Sequence, residues 1–245
     1  MACVFLTTKG RSMRHLRIVA AMGLLGAATA ANAQVSSTWT LTNDYDFRGT
    51  SQSAKDPAIQ GSLDFATDSG WYVGAWASNV DFDNGTDYEV DLYTGFTGGD
   101  EEGLGWDVGF VYYAYPDESD ANYPEIYGKL NYGLFSGALF YSNDWINSND
   151  SSVYASGDVS VPLLQNFSLN LHAGYSFGEY FKDRDTEYLD YSVGVGYTVG
   201  KFDLGLKYVD TSLDEGDSWF SGDDVNNTEG RVVFTIATTF PWSND

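Results

Sequence analysis

The sequence predicts an all-β protein: a transmembrane antiparallel up-and-down β-barrel of the bacterial outer membrane, with about twelve strands. Three observations predict it. Helical periodicity is nearly absent after residue 34, and apolar and polar residues alternate in runs of ten or so. The connections between these runs alternate between short turns and longer polar loops, as they do in barrels with one short-turn end and one long-loop end. Ten residues rise roughly 33 Å, and a tilt of about 40° leaves roughly 25 Å of height, the apolar band of such a barrel.

Residues 1–33 stand apart. Lys9, Arg11, Arg14 and Arg17 precede the apolar run IVAAMGLLGAATA, and ANA precedes Gln34, the arrangement of a secretory signal peptide that is removed. The run is too short to cross a bilayer as a helix. The single cysteine, Cys3, lies in this segment. Residues 34–245 are therefore expected to be exported, without disulfides, as one barrel domain.

The strands follow in order. The first is expected over residues 37–48 and its descending partner over 58–66, with GTSQSAKDP between them as a surface loop. Strands at 71–82 and 87–97 flank DNGT, where Asn84-Gly85 is a hairpin signal. Strands at 104–115 and 124–132 flank YPDESDANY, and strands at 134–143 and 152–161 flank NDWINSNDS. The pair at 167–177 and 188–199 alternates most strictly: Leu189, Tyr191, Val193, Val195, Tyr197 and Val199 share one face, and Asp190, Ser192, Gly194, Gly196 and Thr198 the other. The last pair, 202–210 and 231–240, encloses the long acidic loop TSLDEGDSWFSGDDVNNTEG. The opposite connections, TDSG, GGDEEG, YGL, PLLQN and GK, are short. Aromatic residues at strand ends, such as Trp71-Tyr72, Tyr112-Tyr113-Ala114-Tyr115 and Phe140-Tyr141, are placed as interfacial girdles. A soluble β-sandwich would also alternate, but it does not call for loops that are long at one end only. The terminal VFTIATTF alternates toward Phe240, like the last strand of bacterial barrels, although PWSND follows it.

The charge excludes some partners. Four of the twelve Lys and Arg lie before Gln34, so the remainder carries eight bases against 35 acids. Such a chain repels nucleic acid and offers no basic patch for phosphate. Its 16% aromatic content argues against disorder.

The segment YDFRGTSQSAKDPAIQGSLDFATDSGWYVGAWASNVDF resembles the N-terminal signature of the TorF-type porin family of proteobacterial outer-membrane proteins, also known as Gcw_chp. YEVDLYTGF, DVGFVYYAYP and YPEIYGKL are similar to its further blocks. The resemblance implies an outer-membrane β-barrel of porin type, and it carries over no functional residue.

With the apolar faces turned to lipid, parity places Asp44, Asp46, Arg48, Asp64, Glu89, Asp91, Asp107, Glu125, Lys129, Asp158, His172, Asp190, Asp203 and Lys207 toward the lumen. A water-filled pore lined in this way concentrates cations and excludes anions. The alternative is that these acids pair with Arg48, Lys129, Lys207 and Arg231 inside a closed interior. Strand 71–82 has large residues on both faces and no parity is assigned to it. Arg48 is expected near the mouth, pairing with strand carboxylates such as Asp64 to fix that rim, or else gripping a ligand. The expected function is that of a porin-like channel for passive diffusion of small solutes, cations preferred, in contact with outer-membrane lipid. The alternative is a non-conducting structural, adhesive or metal-capturing barrel.

No enzyme, cofactor or specific metal site is expected. His172, the one histidine after residue 33, would need a serine within hydrogen-bond reach to serve a hydrolase. Gly49-Thr50-Ser51-Gln52-Ser53 lacks the closing glycine and the helix of a nucleophile elbow. Asp81 to Glu89, and DEGD with GDDVNN in the last loop, offer oxygen ligands suited to calcium. In the former the glycine falls one position early for an EF-hand loop, and no site is assigned.

Overall fold

The computed structural model describes residues 34–100, 103–213 and 228–242. The signal segment 1–33 and the DEGD and GDDVNN acids of the last long loop lie outside the described residues. Fourteen strands are present among the described residues: β1 (Gln34–Thr42), β2 (Asp46–Phe47), β3 (Thr50–Ser51), β4 (Ala58–Ala66), β5 (Trp71–Asn79), β6 (Tyr88–Gly99), β7 (Leu104–Ala114), β8 (Tyr123–Tyr132), β9 (Phe135–Ser142), β10 (Ser152–Pro162), β11 (Phe167–Phe177), β12 (Tyr188–Val199), β13 (Phe202–Thr211) and β14 (Arg231–Phe240).

Strands β1 and β4 to β14 form one closed antiparallel barrel of twelve, each paired with its neighbour in sequence. Closure comes from β1 and β14, in register from Ser37↔Phe240 to Thr42↔Thr235. It leaves no sheet edge unpaired, which a strand in lipid requires. The alternation that predicts the strands also sorts their faces. Leu92 and Phe96 on β6, Val108 and Phe110 on β7, Leu171 on β11, and Val193 and Val195 on β12 are exposed large apolar residues. Between them, Asp91 and Tyr93, Val111 and Tyr113, and Asp190 turn inward and are buried. An apolar exterior around a polar interior is the inverse of a soluble sandwich and the pattern of a lipid-facing barrel.

The structure departs from the sequence-based expectation at the first strand. β1 ends at Thr42, not at residue 48; residues 55–57 of the expected loop stay at the surface, but residues 44–53 do not. They turn back into the barrel, where β2 and β3 pair as a small separate hairpin, Asp46↔Ser51 and Phe47↔Thr50. Tyr45, Phe47, Thr50, Ser51, Gln52 and Ser53 are all buried. The reason is local: Gln52 N donates to Tyr45 O at 2.7 Å, and Ser51 Oγ donates to Asp44 Oδ1 at 2.5 Å, so the hairpin satisfies much of its own polarity. Part of what remains is met by the barrel wall.

The upper lumen, at the long-loop end, is filled with rings. Tyr113 stacks on Tyr123 with centroids 4.6 Å apart, Tyr123 meets Trp145 at 4.4 Å, and Phe181 bridges Trp145 and Tyr188 at 6.0 Å each. Trp145 comes from a 3-10 turn (Trp145–Asn147), and Tyr180 and Phe181 from the short helix α1 (Glu179–Lys182). The hairpin adds Phe47 against Tyr113 and Tyr45 against Trp76. Of the residues expected as a girdle, Tyr112 and Tyr141 do face outward, but Tyr113 and Tyr115 point inward and belong to this plug.

Candidate functional site

The hairpin is fastened by ion pairs to three strands of the barrel wall. Arg231, at the start of β14, donates from Nε to Asp44, from Nη2 to Asp46 Oδ1 at 2.8 Å, and from Nη1 to Gly49 O at 2.7 Å. Lys207 on β13 donates to Asp46 Oδ2 at 2.5 Å. Arg48, at the hairpin tip, donates to Glu125 Oε2 on β8 at 2.7 Å. Tyr188 on β12 closes the fourth contact, its hydroxyl donating to Arg48 O at 3.0 Å. Gly49 is a required glycine: its φ is +81°, and a Cβ there would stand 2.6 Å from both Asp190 Cβ and Thr211 Cγ2. Arg48 therefore pairs with Glu125, and not with Asp64. Asp64 lies elsewhere on the wall, within hydrogen-bond reach of Ser36 Oγ at 3.4 Å.

The other residues singled out from the sequence fall into three groups. Glu89 and Asp91 are buried side by side on β6, with Tyr45 and Tyr115 against Glu89. Both Asp91 carboxylate oxygens, Glu89 Oε2 and Glu125 Oε1 make no hydrogen bond. On β10 to β12, His172 is held between two carboxylates, Nδ1 to Asp158 Oδ1 at 2.7 Å and Nε2 to Asp190 Oδ1 at 2.8 Å. The Tyr154 hydroxyl reaches the same Asp190 oxygen at 3.2 Å. Among the described residues no serine hydrogen-bonds to His172, whose two ring nitrogens both face carboxylates. Toward the short-turn end, Asp107 accepts from Tyr72 at 2.6 Å and lies 3.7 Å from Lys129, and Asp203 accepts from Thr198 at 2.7 Å.

These groups divide the lumen into two halves. In the long-loop half Arg48, Glu125, Asp91 and Asp44 are shut away from solvent. In the short-turn half Lys129, Asp107, Asp158, His172 and Lys207 are partly exposed, so water reaches an interior vestibule. On the outside of the long-loop end, Asp56, Asp81, Asp83 and Asp87 line a cleft of about 710 Å³ beside the hairpin's return. Among the described residues no three His, Cys, Asp or Glu side chains gather closely enough to hold a metal ion.

The Asp46 links predict an acid-sensitive latch. Burial alone would raise the Asp46 carboxyl, but Lys207 and Arg231 hold it below the usual carboxylate range. A carboxylate lowered on folding stabilises the folded arrangement above its unfolded pKa of ~3.9, and that contribution is lost as pH falls through the lower folded value. The hairpin is expected to loosen below about pH 4. Amide hydrogen exchange of residues 44–56, corrected for intrinsic rates, should show protection at pH 7 that is lost near pH 3. Equal protection at both would remove Asp46 from the latch.

The family model described as "Bacterial protein of unknown function (Gcw_chp)" matches residues 26–240. The chain belongs to the Gcw_chp family. A comparison with curated proteins finds no match. Among solved structures, this Gcw_chp chain is similar to the NanC porin, with a TM-score of 0.55 at 10% identity over 85% of this chain and 100% of that one. It is also similar to the KdgM porin in complex with disordered oligogalacturonate, with a TM-score of 0.53 at 8% identity over 86% of this chain and 100% of that one. At such identities the likeness is one of fold: the Gcw_chp chain shares the closed antiparallel barrel of these porins.

Proposed function

We propose that this chain is a porin-like channel of the bacterial outer membrane, of the TorF type, whose inward hairpin closes it at rest. It passes small solutes by diffusion and favours cations. The observation that supports this most directly is the vestibule: polar, reached by water, and enclosed by a barrel whose outer surface is apolar. Its wall carries Asp107, Asp158 and Asp203 against Lys129, Lys207 and His172, and the lumen also holds the buried carboxylates of Asp64 and Asp190. An acidic wall of low dielectric attracts cations and raises the barrier for anions. KdgM is a barrel seen with a polyanion, and this lumen has the opposite balance of charge for such a solute.

The buried hairpin and aromatic plug favour a second reading, a barrel that never conducts and presents its acidic loops to the cell exterior. Planar-bilayer recording separates the two. The purified protein is expected to give brief, low-amplitude steps, with a reversal potential in a KCl gradient displaced toward the potassium value. Anion selectivity would sink the cation preference. Silence from both the intact protein and a variant without the hairpin would favour the second reading.

A further inference from the structure

Arg48 occupies a backbone position that most side chains avoid. The β2–β3 turn contains two residues, Arg48 with φ +50° and Gly49 with φ +81°. A two-residue hairpin of the matching twist needs left-handed conformations at both, and Asn, Asp or Gly usually supply the first. An arginine there has a conformational cost of order 1 kcal/mol or more, so its side chain must gain something in return.

What it reaches is a cage. The guanidinium carbon lies 4.4 Å from the ring centroid of Tyr154, 4.7 Å from Phe47, and 5.2 Å from both Phe140 and Trp145. Glu125 supplies a carboxylate at 2.7 Å. Only Phe47 comes from the hairpin; Glu125, Phe140, Tyr154 and Trp145 belong to β8, β9, β10 and the loop between the last two. Phe140 and Tyr154 are direct register partners, so the sheet itself sets their spacing. Ring faces around a cation, with a carboxylate alongside, are how proteins hold guanidinium and alkylammonium groups.

The fit of Arg48 is incomplete. The side chains of Arg48 and Glu125 are 6% and 0% exposed, yet Arg48 Nη1 and Glu125 Oε1 have no hydrogen-bond partner. A guanidinium free to turn can meet a carboxylate with two parallel bonds. Arg48, tied to its hairpin, makes one. The cage also borders the vestibule, because the Lys129 ammonium lies 5.7 Å from the centroid of the same Phe140 ring.

We propose that Glu125, Phe140, Trp145 and Tyr154 form a solute-binding site for guanidinium- or alkylammonium-bearing compounds, which Arg48 fills as a built-in competitor. A cationic solute and the seated hairpin then exclude each other, and binding of the solute favours the open barrel. This deepens the reading of the barrel as a cation-preferring channel and rests on it.

Calorimetric titration of the detergent-purified full chain with ethylguanidinium tests the site without any current. Arg48→Ala is expected to bind with a Kd on the order of millimolar. The intact protein, and Arg48→Ala combined with Glu125→Gln, are expected to bind at least about tenfold more weakly, the effect of an occupied cage or of a lost charged partner. Uncharged ethylurea, of the same shape, is expected to give no heat. If Arg48→Ala does not show the gel shift on heating of an intact barrel, Arg48→Met restores the apolar stem and leaves the guanidinium position open. No binding to the folded single variant, or equal binding to the double variant, overturns the site. A barrel that binds ethylguanidinium but never conducts would overturn the channel reading and leave the cage standing.

Discussion

Replacing residues 44–56 by a short turn is expected to convert a mostly closed barrel into one that is open nearly all the time. The hairpin is the element that carries Tyr45, Phe47 and Arg48 into the lumen, and each caps part of the aromatic plug. Strands β1 and β4 pair from Gln34↔Ala66 to Thr42↔Ala58 without using any hairpin residue, so the barrel should still close. Twelve strands enclose a lumen between that of side-chain-filled small barrels and that of wide porins, and removing the hairpin is expected to open a water path past the remaining rings. Single-channel recording should show steady current, with the cation preference proposed for the intact protein. A variant that folds, shifts on heating in gels and still stays closed would assign the block to the remaining rings around Trp145 and Phe181.

The second large effect belongs to one side chain. Arg231→Ala should release the hairpin without cutting it. The guanidinium spends its donors on Asp44, Asp46 and Gly49 O, and its side chain is only 8% exposed. Removing one partner from a buried ion pair costs about 3–5 kcal/mol, because the remaining charge is left without compensation. Asp46 keeps Lys207, but Asp44 retains only the hydroxyls of Ser51 and Ser53. At about 1.4 kcal/mol per tenfold, even the lower figure shifts the seated–released balance by roughly a hundredfold. Open probability in bilayers should rise accordingly. Arg231→Lys should recover only part of the closure, since an ammonium cannot span three acceptors in a fixed plane. Unchanged gating in Arg231→Ala would show that the Arg48–Glu125 contact alone seats the hairpin.

The barrel was legible in the sequence where one face is apolar over a whole strand. β11, β12 and β14 fall on the residues that alternation predicts, because a slip of one position would turn every Leu and Val of the lipid face inward. β1 was not, and the reason is physical. Asp44 to Phe47 alternates in step with the strand before it, and any extended segment does so whichever sheet it joins. The turn that reverses the chain is Arg48-Gly49, where Asn-Gly would have announced a hairpin. Parity also assigns a face and not a reach. It places Arg48 among carboxylates, but the choice of Glu125 over Asp64 depends on how far the hairpin descends. Tyr113, Tyr115 and Tyr123 show the same limit: an aromatic residue near a strand end can serve the lipid interface or a plug, and neighbouring Tyr112 and Tyr113 divide between the two.

The ion pairs of the hairpin also join the two ends of the chain. Asp44 and Asp46 follow β1 directly, and Arg231 opens β14, the strand that closes the barrel against β1. These partners lie 187 and 185 residues apart, so they can meet only when nearly the whole chain has been laid down. The strand that completes the wall thus carries the residue that locks what the wall encloses.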